Sequence, residues 1–308
     1  MRVESVNISE KKGVVKTPVN KVTLTEKGIA EDAHSGSWHR QVSMLSTISI
    51  AKSSEAAGRT IGPGEFAENL TVSGFDMTEA KLLDRFRIGK ALLELTQIGK
   101  ECHGSTCAIF REVGSCVMPK EGVFCRVIDP GEIKTGDTGE HIPFTLSFKI
   151  ITLSDRASRG EYEDLSGPAI ENTIREKLDG KKWRTRYSRV IIPDEAERLE
   201  RELSSAEEAG FQVIFTTGGT GVGPRDITPD TVKPMLNKEM PGIMEFIRTK
   251  YGAKYPNALI SRSIAGIIGE TQVFTLPGSV KAAGEYCEEI MKTVEHTLFM
   301  LKSISFHQ

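Results

Sequence analysis

Apolar residues in the first half of the chain come in short runs, many of them alternating with polar positions. The segments VNKVTLTEKGI (19–29), QVSMLSTISI (41–50), LLELTQIG (92–99) and GVFCRVI (122–128) are bounded by Gly, Pro, Asn or charged residues, which predicts short strands. Only AKSSEAAGR (51–59) has a helical pattern. The sum is a β-rich unit, barrel-like or sandwich-like, without βαβ repeats.

The pattern changes after a polar stretch carrying Gly and Pro, 136–143. A buried-looking strand at 148–153 is followed by an amphipathic helix with Pro168 at its start, the strand YSRVII, the helix DEAERLERELSSAEEAG and the apolar strand FQVIFTT. Shorter helices are expected after Thr228 and Pro241, then a strand TQVFTLPG and a long helix from Val280 to about Leu301. In that helix Ala283, Tyr286, Cys287, Ile290, Val294, Leu298 and Leu301 recur at helical spacing. The prediction is two domains, with residues 1–142 a β-rich, barrel-like domain. Residues 143–308 form an α/β three-layer sandwich around a mainly parallel sheet.

At 308 residues each half is long enough to bury its own core. Forty basic against 42 acidic residues exclude a general nucleic-acid binder or a polybasic membrane-surface protein. No apolar run approaches the roughly 18 residues that span a bilayer. The alternating N-terminus lacks the apolar segment of a signal peptide, so a cytoplasmic protein is expected. Of five cysteines, four crowd between Cys102 and Cys125 without the spacing of a zinc knuckle.

The densest chemistry follows the strand 211–217, where Gly218, Gly219, Gly221 and Gly223 precede Arg225-Asp226 and a Pro-marked helix start. Glycines at the end of a buried strand let backbone N–H groups approach an anion. The Walker pattern fails because Pro224-Arg225 stand where Lys-Ser/Thr is needed. G-x-G-x-x-G fails at Pro224. Asp226 follows the loop, and Asp194 ends another strand. Carboxylates at two strand ends can converge on one crevice, as magnesium-assisted phosphoryl or nucleotidyl transfer needs. Taken singly each has a simpler reading: Asp194 with Glu197 as a capping box, Asp226 as a turn residue.

The blocks ITLSDRASRGEYEDLSGPAI, VIIPDEAERL, TTGGTGVGPRDITPDTV, MPGIMEFIR, ALISRSIAG and TLPGSVKAA occur in this order. Together they resemble the MogA/MoaB family of molybdopterin-binding proteins from about Phe148 onward. The resemblance implies Mg-ATP-dependent adenylylation of molybdopterin, with ATP and molybdopterin as substrates and Mg2+ as cofactor. It implies that Asp194 and Asp226 are catalytic and hold the magnesium. Thr217, Gly218, Gly219, Thr220, Gly221, Ser261, Arg262, Gly278 and Ser279 would form the substrate pocket, and Asp155, Glu163 and Asp164 the nucleotide side. Where relatives often carry Pro after the Gly-Ser of this last block, Val280 stands here. Trimers through the C-terminal domain, and partners such as a molybdate-insertion protein of the MoeA type and molybdoenzymes, follow from the same likeness. The alternative is a non-catalytic carrier or assembly protein; the pair of aspartates favours catalysis.

In the first half, G-x-x-x-D-A-H-x-G-x-W-H-R-Q-V and F-x-E-N-L resemble the MOSC domain. That likeness implies binding, delivering or sulfurating the molybdenum cofactor, with His34, His39, Arg40, Glu68 and Asn69 as candidate site residues. Cys102 is the candidate sulfur carrier, with Cys107 and Cys116 as rivals. Glu101 replaces the Pro common before that cysteine and works against a thiolate. Polar, aromatic and basic side chains crowded around Trp38 also suit the rim of a pocket for an anionic aromatic ligand, whereas Cys125 reads as core.

Overall fold

A computed structural model describes residues 1–101 and 116–305. The chain divides into two compact units, residues 1–144 with 304–305 and residues 145–303.

The first unit holds β1 (Arg2–Ile8), β2 (Thr17–Val19), β3 (Lys21–Thr25), β4 (Gly28–Ile29), β5 (Val42–Ser46), β6 (Leu70–Ser73), β7 (Arg85–Ile88), β8 (Ala91–Ile98), β9 (Val123–Asp129), β10 (Gly131–Lys134) and β11 (Gly139–Ile142), with helices α1 (Thr47–Ala57) and α2 (Met118–Glu121). Eight strands form one sheet in the order β11-β7-β8-β9-β5-β6-β1-β2, and β10-β3-β4 form a second. All pairings are antiparallel except β5 with β6. Alternation decides the two cores: Met44 and Cys125 face the main cluster with Val3, Val22, Leu70 and Leu93. Their chain neighbours Leu45 and Phe124 face a smaller one with Ile50 and Phe66. The edge of β1 is tied to the residues entering β11, with Val3 N–H donating to Asp137 C=O (2.9 Å), Gly139 N–H to Met1 C=O (2.9 Å) and a bridge between Arg2 and Thr138.

The run 41–50 is not one strand. Ser46 ends β5 and caps α1, its Oγ accepting from Ser49 N–H at 3.2 Å, and Gly58 in the left-handed region (φ 63°) closes the helix. A serine able to serve as N-cap outweighs the apolar alternation of the residues around it.

The second unit holds β12 (Leu146–Leu153), β13 (Thr185–Ile192), β14 (Val213–Thr217), β15 (Lys238–Glu239), β16 (Ala265–Ile268) and β17 (Thr271–Leu276). Its helices are α3 (Asp155–Ser158), α4 (Ser166–Leu178), α5 (Ala196–Glu208), α6 (Thr228–Val232), α7 (Pro241–Gly252) and α8 (Val280–Leu301). The sheet order is β13-β12-β14-β17-β16-β15. The first three pairings are parallel and the last two antiparallel, so the sheet is mixed. The antiparallel edge comes from a tight two-residue turn, Gly269-Glu270, in which Gly269 takes φ +57°. Leu199, Leu203 and Ala206 of α5 cover one face of the sheet through Ile151, Leu153, Ile214 and Val273. On the other face α4 and α8 pack together, against β12 and β17. The stripe on α8 is buried from Ala283 to Leu298.

Candidate functional site

Four parallel strands, β13, β12, β14 and β17, deliver their C-terminal ends to one edge of the second unit, the place where open α/β sheets bind ligands. The turn after β14 depends on two glycines. Gly218 has φ +106°, and a Cβ there would lie 2.4 Å from Leu153 C=O; Gly219 has φ +63° and would press a Cβ to 2.6 Å from Thr228 Oγ1. Gly278, at the end of β17, would place a Cβ 3.3 Å from the Gly218 Cα. The strand ends thus approach more closely than side chains allow. Thr228 returns to this turn, its N–H donating to Gly219 C=O (3.0 Å) and its hydroxyl to Gly218 C=O (2.8 Å).

Asp226 closes the second half of the loop: its Oδ2 accepts from Gly223 N–H at 2.7 Å. Asp194 does not form the capping box that Glu197 suggested. Its Oδ2 accepts from Asp155 N–H (3.1 Å), while Asp155 Oδ1 accepts from Asp194 N–H (3.0 Å), a reciprocal clasp between the ends of β12 and β13. Asp155 Oδ2 also receives Arg225 Nη1 at 2.8 Å. Burial raises the Asp194 carboxyl above its ordinary value, and the charges of Asp155 and Asp226 add to that; the Asp155 N–H and Arg225 oppose it. Three carboxylates against one guanidinium leave the corner rich in negative charge. Among the described residues no group of three or more His, Cys, Asp or Glu could hold a metal ion. A magnesium ion here would draw further ligands from phosphate and water, which is its usual habit.

Beside the loop lies a cavity of about 660 Å³. Gly219, Thr220, Gly221, Asp226, Ser261, Gly278 and Ser279 line it. Thr217 and Gly218 do not: the Thr217 hydroxyl donates to Pro277 C=O (2.8 Å) and ties β14 to β17. Arg262 does not line it either. Its Nε donates to Gly221 C=O (2.7 Å), Nη2 to Asp226 C=O, and Nη1 to both oxygens of Asp230 (2.9 and 2.8 Å), so its guanidinium is occupied in shaping the loop. Asp164 accepts from Ser166 N–H, Gly167 N–H and Thr152 Oγ1, which anchors the start of α4; Glu163 is exposed. The sequence reading missed the opposite wall, Tyr251, Tyr255, Lys281 and Tyr286. Tyr251 stands in the last turn of α7, Tyr255 just beyond it, and Tyr286 two turns after Ser279 along α8; these spacings are the available signal.

In the first unit His34, Arg40 and Asn69 line a second cavity of about 340 Å³. The Asn69 amide is structural as well, accepting from Ser43 N–H (3.1 Å) and donating to Asn7 C=O (3.1 Å). His39 does not line the cavity. It lies 3.2 Å from Thr96 Oγ1, and burial followed by the Arg40 charge lowers it to about 4. Glu68 is fully buried, one oxygen accepting from Gly64 N–H and Thr71 Oγ1 (both 2.7 Å) and the other without a partner; burial raises its carboxyl. Cys102 and Cys107 lie outside the described residues. Cys116 is half-buried, and Cys125 is core, its thiol raised by burial.

Comparison with known proteins places two domains on the chain. Residues 149–296 match the model of a probable molybdopterin binding domain, and residues 31–140 match the MOSC domain. A molybdopterin adenylyltransferase of Pyrococcus furiosus is 38% identical over 160 residues, 51% of this chain and 91% of that protein. One of Helicobacter pylori is 34% identical over 158 residues, covering 51% and 88%. A gephyrin of Dictyostelium discoideum is 36% identical over 160 residues, which are 50% of this chain but 22% of that longer protein. Among solved structures, the tungsten cofactor synthesizing protein MoaB of Pyrococcus furiosus is 37% identical. It covers 52% of this chain and 99% of its own, with a TM-score of 0.45.

Proposed function

The chain belongs to the family of molybdopterin-binding domains, here preceded by a MOSC domain, and from that premise we propose that it acts in molybdenum cofactor biosynthesis. Its C-terminal half adenylylates molybdopterin. The terminal phosphate of the pterin attacks the α-phosphate of ATP, the bond to the β-phosphate breaks, and pyrophosphate leaves. The observation that carries this reading is the gathering of Asp155 and Asp194, clasped at the ends of β12 and β13, with Asp226 of the glycine loop, which also lines the cavity.

Positioning and charge neutralisation supply most of the catalysis in transfers of this kind. The Gly219–Gly221 backbone, Ser261 and Ser279 hold the pterin, and the tyrosine wall shields it from water. Thr217, Gly218, Gly278 and Arg262 set the shape of the loop. Asp155 and Glu163 border the nucleotide side, with Asp164 anchoring the helix that follows. The excess of carboxylates at Asp194 and Asp226 fits a magnesium ion, which when bound neutralises charge on the triphosphate.

We further infer a barrel-like closure for the MOSC half, supported by the bonds between β1 and the residues before β11. That half, which ends in the segment between β11 and β12, binds, delivers or sulfurates the cofactor, with Cys102 as sulfur carrier. A trimeric assembly, a cytoplasmic setting and a partner of the molybdate-insertion type belong to the same proposal. Asp226→Asn tests the catalytic assignment. It is expected to abolish pyrophosphate release while molybdopterin remains bound; unchanged turnover would remove Asp226 from the mechanism. Unchanged sulfur or cofactor transfer in Cys102→Ala would remove that thiol.

A further inference from the structure

Of the three tyrosines that line the cavity of the second unit, two have their hydroxyls engaged within the protein. Tyr251 donates to Glu285 C=O at 3.3 Å, and Tyr255 accepts from Lys281 Nζ at 2.9 Å. Tyr286 differs. It is 2% exposed, and among the described residues its shielded hydroxyl has no hydrogen-bond partner. Buried tyrosine hydroxyls nearly always find one, because a shielded hydroxyl without a partner forfeits the bonds it would make to water.

The helix places this hydroxyl among groups that cannot serve it. Tyr286 belongs to the buried face of α8 with Ala283, Cys287 and Ile290. The Tyr251 ring lies nearly parallel to its own, 6.4 Å between centroids at 17°, and so offers a face rather than an acceptor. The groups of the glycine loop stand beside Ser279, the N-cap of α8, since Gly278 packs directly on Gly218. Tyr286 comes seven residues after Ser279 on the same helix, a rise of about 10 Å. A span of that order matches a fused two-ring system carrying a phosphorylated side chain.

We propose that the Tyr286 hydroxyl is a specificity-determining contact of this cavity: it bonds to the polar edge of the bound heterocycle, a ring nitrogen or carbonyl, while the phosphorylated end meets the glycine loop. The inference rests on the reading of the cavity as the pterin pocket and adds to it the group that selects the ring. An apolar ring of the same size leaves the hydroxyl without a partner and is disfavoured for that reason. The same hydroxyl therefore acts in opposite directions, costing stability in the free protein and adding affinity in the complex.

The test uses the full chain, with pterin-6-carboxylate and 2-naphthoate as probes whose own fluorescence reports binding. The parent is expected to bind the pterin saturably and more tightly than the naphthoate. Tyr286→Phe should weaken pterin binding about tenfold, leave naphthoate binding unchanged, and leave the melting temperature of the free protein unchanged or raised. In molybdopterin-dependent pyrophosphate release the same variant should raise KM and spare kcat. Equal pterin affinity in parent and variant would overturn the proposal, as would absence of saturable pterin binding to the parent at millimolar concentration. A lowered melting temperature of the free variant would also overturn it, by showing that the hydroxyl has a partner within the fold. Pterin affinity that depends on Tyr286 without any pyrophosphate release would count against the adenylyl transfer and leave the ring contact standing.

Discussion

Replacing Arg262 by alanine separates a loop-shaping residue from a substrate-binding one. The side chain donates to two backbone carbonyls, of Gly221 and Asp226, and to both oxygens of Asp230. A hydrogen bond involving a charged group contributes about 1.5–3 kcal/mol. The pair with Asp230, whose side chain is 69% exposed, adds at most about 1 kcal/mol. Water can reach the freed carbonyls and the bonds are not additive, so Arg262→Ala is expected to destabilise the C-terminal half by about 2–4 kcal/mol. Asp230→Asn should remove less than about 1 kcal/mol. Because Asp226 hangs on the same loop, a displacement of about 1 Å should lower kcat about a hundredfold. The assay is urea unfolding in a Trp38→Phe background, so that Trp183 of the C-terminal half reports, combined with steady-state pyrophosphate release. A loss below about 1 kcal/mol with a raised KM for molybdopterin and unchanged kcat would instead make Arg262 a direct substrate contact.

Gly218→Ala should destabilise by at least about 2 kcal/mol more than Gly210→Ala. Both glycines have positive φ, but only Gly218 would set its new Cβ against a carbonyl, at 2.4 Å, whereas Gly210 has open space; equal melting shifts would show that the turn yields. Glu68→Gln is read by its pH dependence. The folded carboxyl lies above its ordinary value of 4.5, so its contribution to stability is full below that pH and is lost as pH rises through the folded value. Thermal melts from about pH 4 to about pH 8 should therefore show the glutamine variant gaining on the parent as pH rises, and a constant difference would contradict the assignment of a neutral buried acid.

Much of the architecture follows from local patterns. The apolar run before Gly218 and the helical stripe from Ala283 to Leu298 appear as a central strand and a buried helix face, because each pattern has one geometry that buries it. The run 41–50 reads otherwise in the fold, since whether Ser46 continues a strand or caps a helix depends on one hydrogen bond to Ser49. The antiparallel edge of the second sheet hides in a two-residue turn that periodicity does not register. Long-range partners were least legible. Nothing in the sequence pairs Asp155 with Asp194 across 39 positions, or aims Arg262 at carbonyls 36 and 41 positions away. The tyrosine wall was hidden for the same reason, because α7 and α8 converge on it only once the sheet is formed.

The proposed adenylyl transfer is metal-dependent and takes place at the loop of Gly218 to Asp226. Its most direct test is pyrophosphate release from ATP by the purified protein with magnesium, in the presence and absence of molybdopterin. Release is expected to require both the pterin and the metal and to be lost in Asp194→Asn. Tight pterin binding without any release would contradict it and make the C-terminal half a carrier.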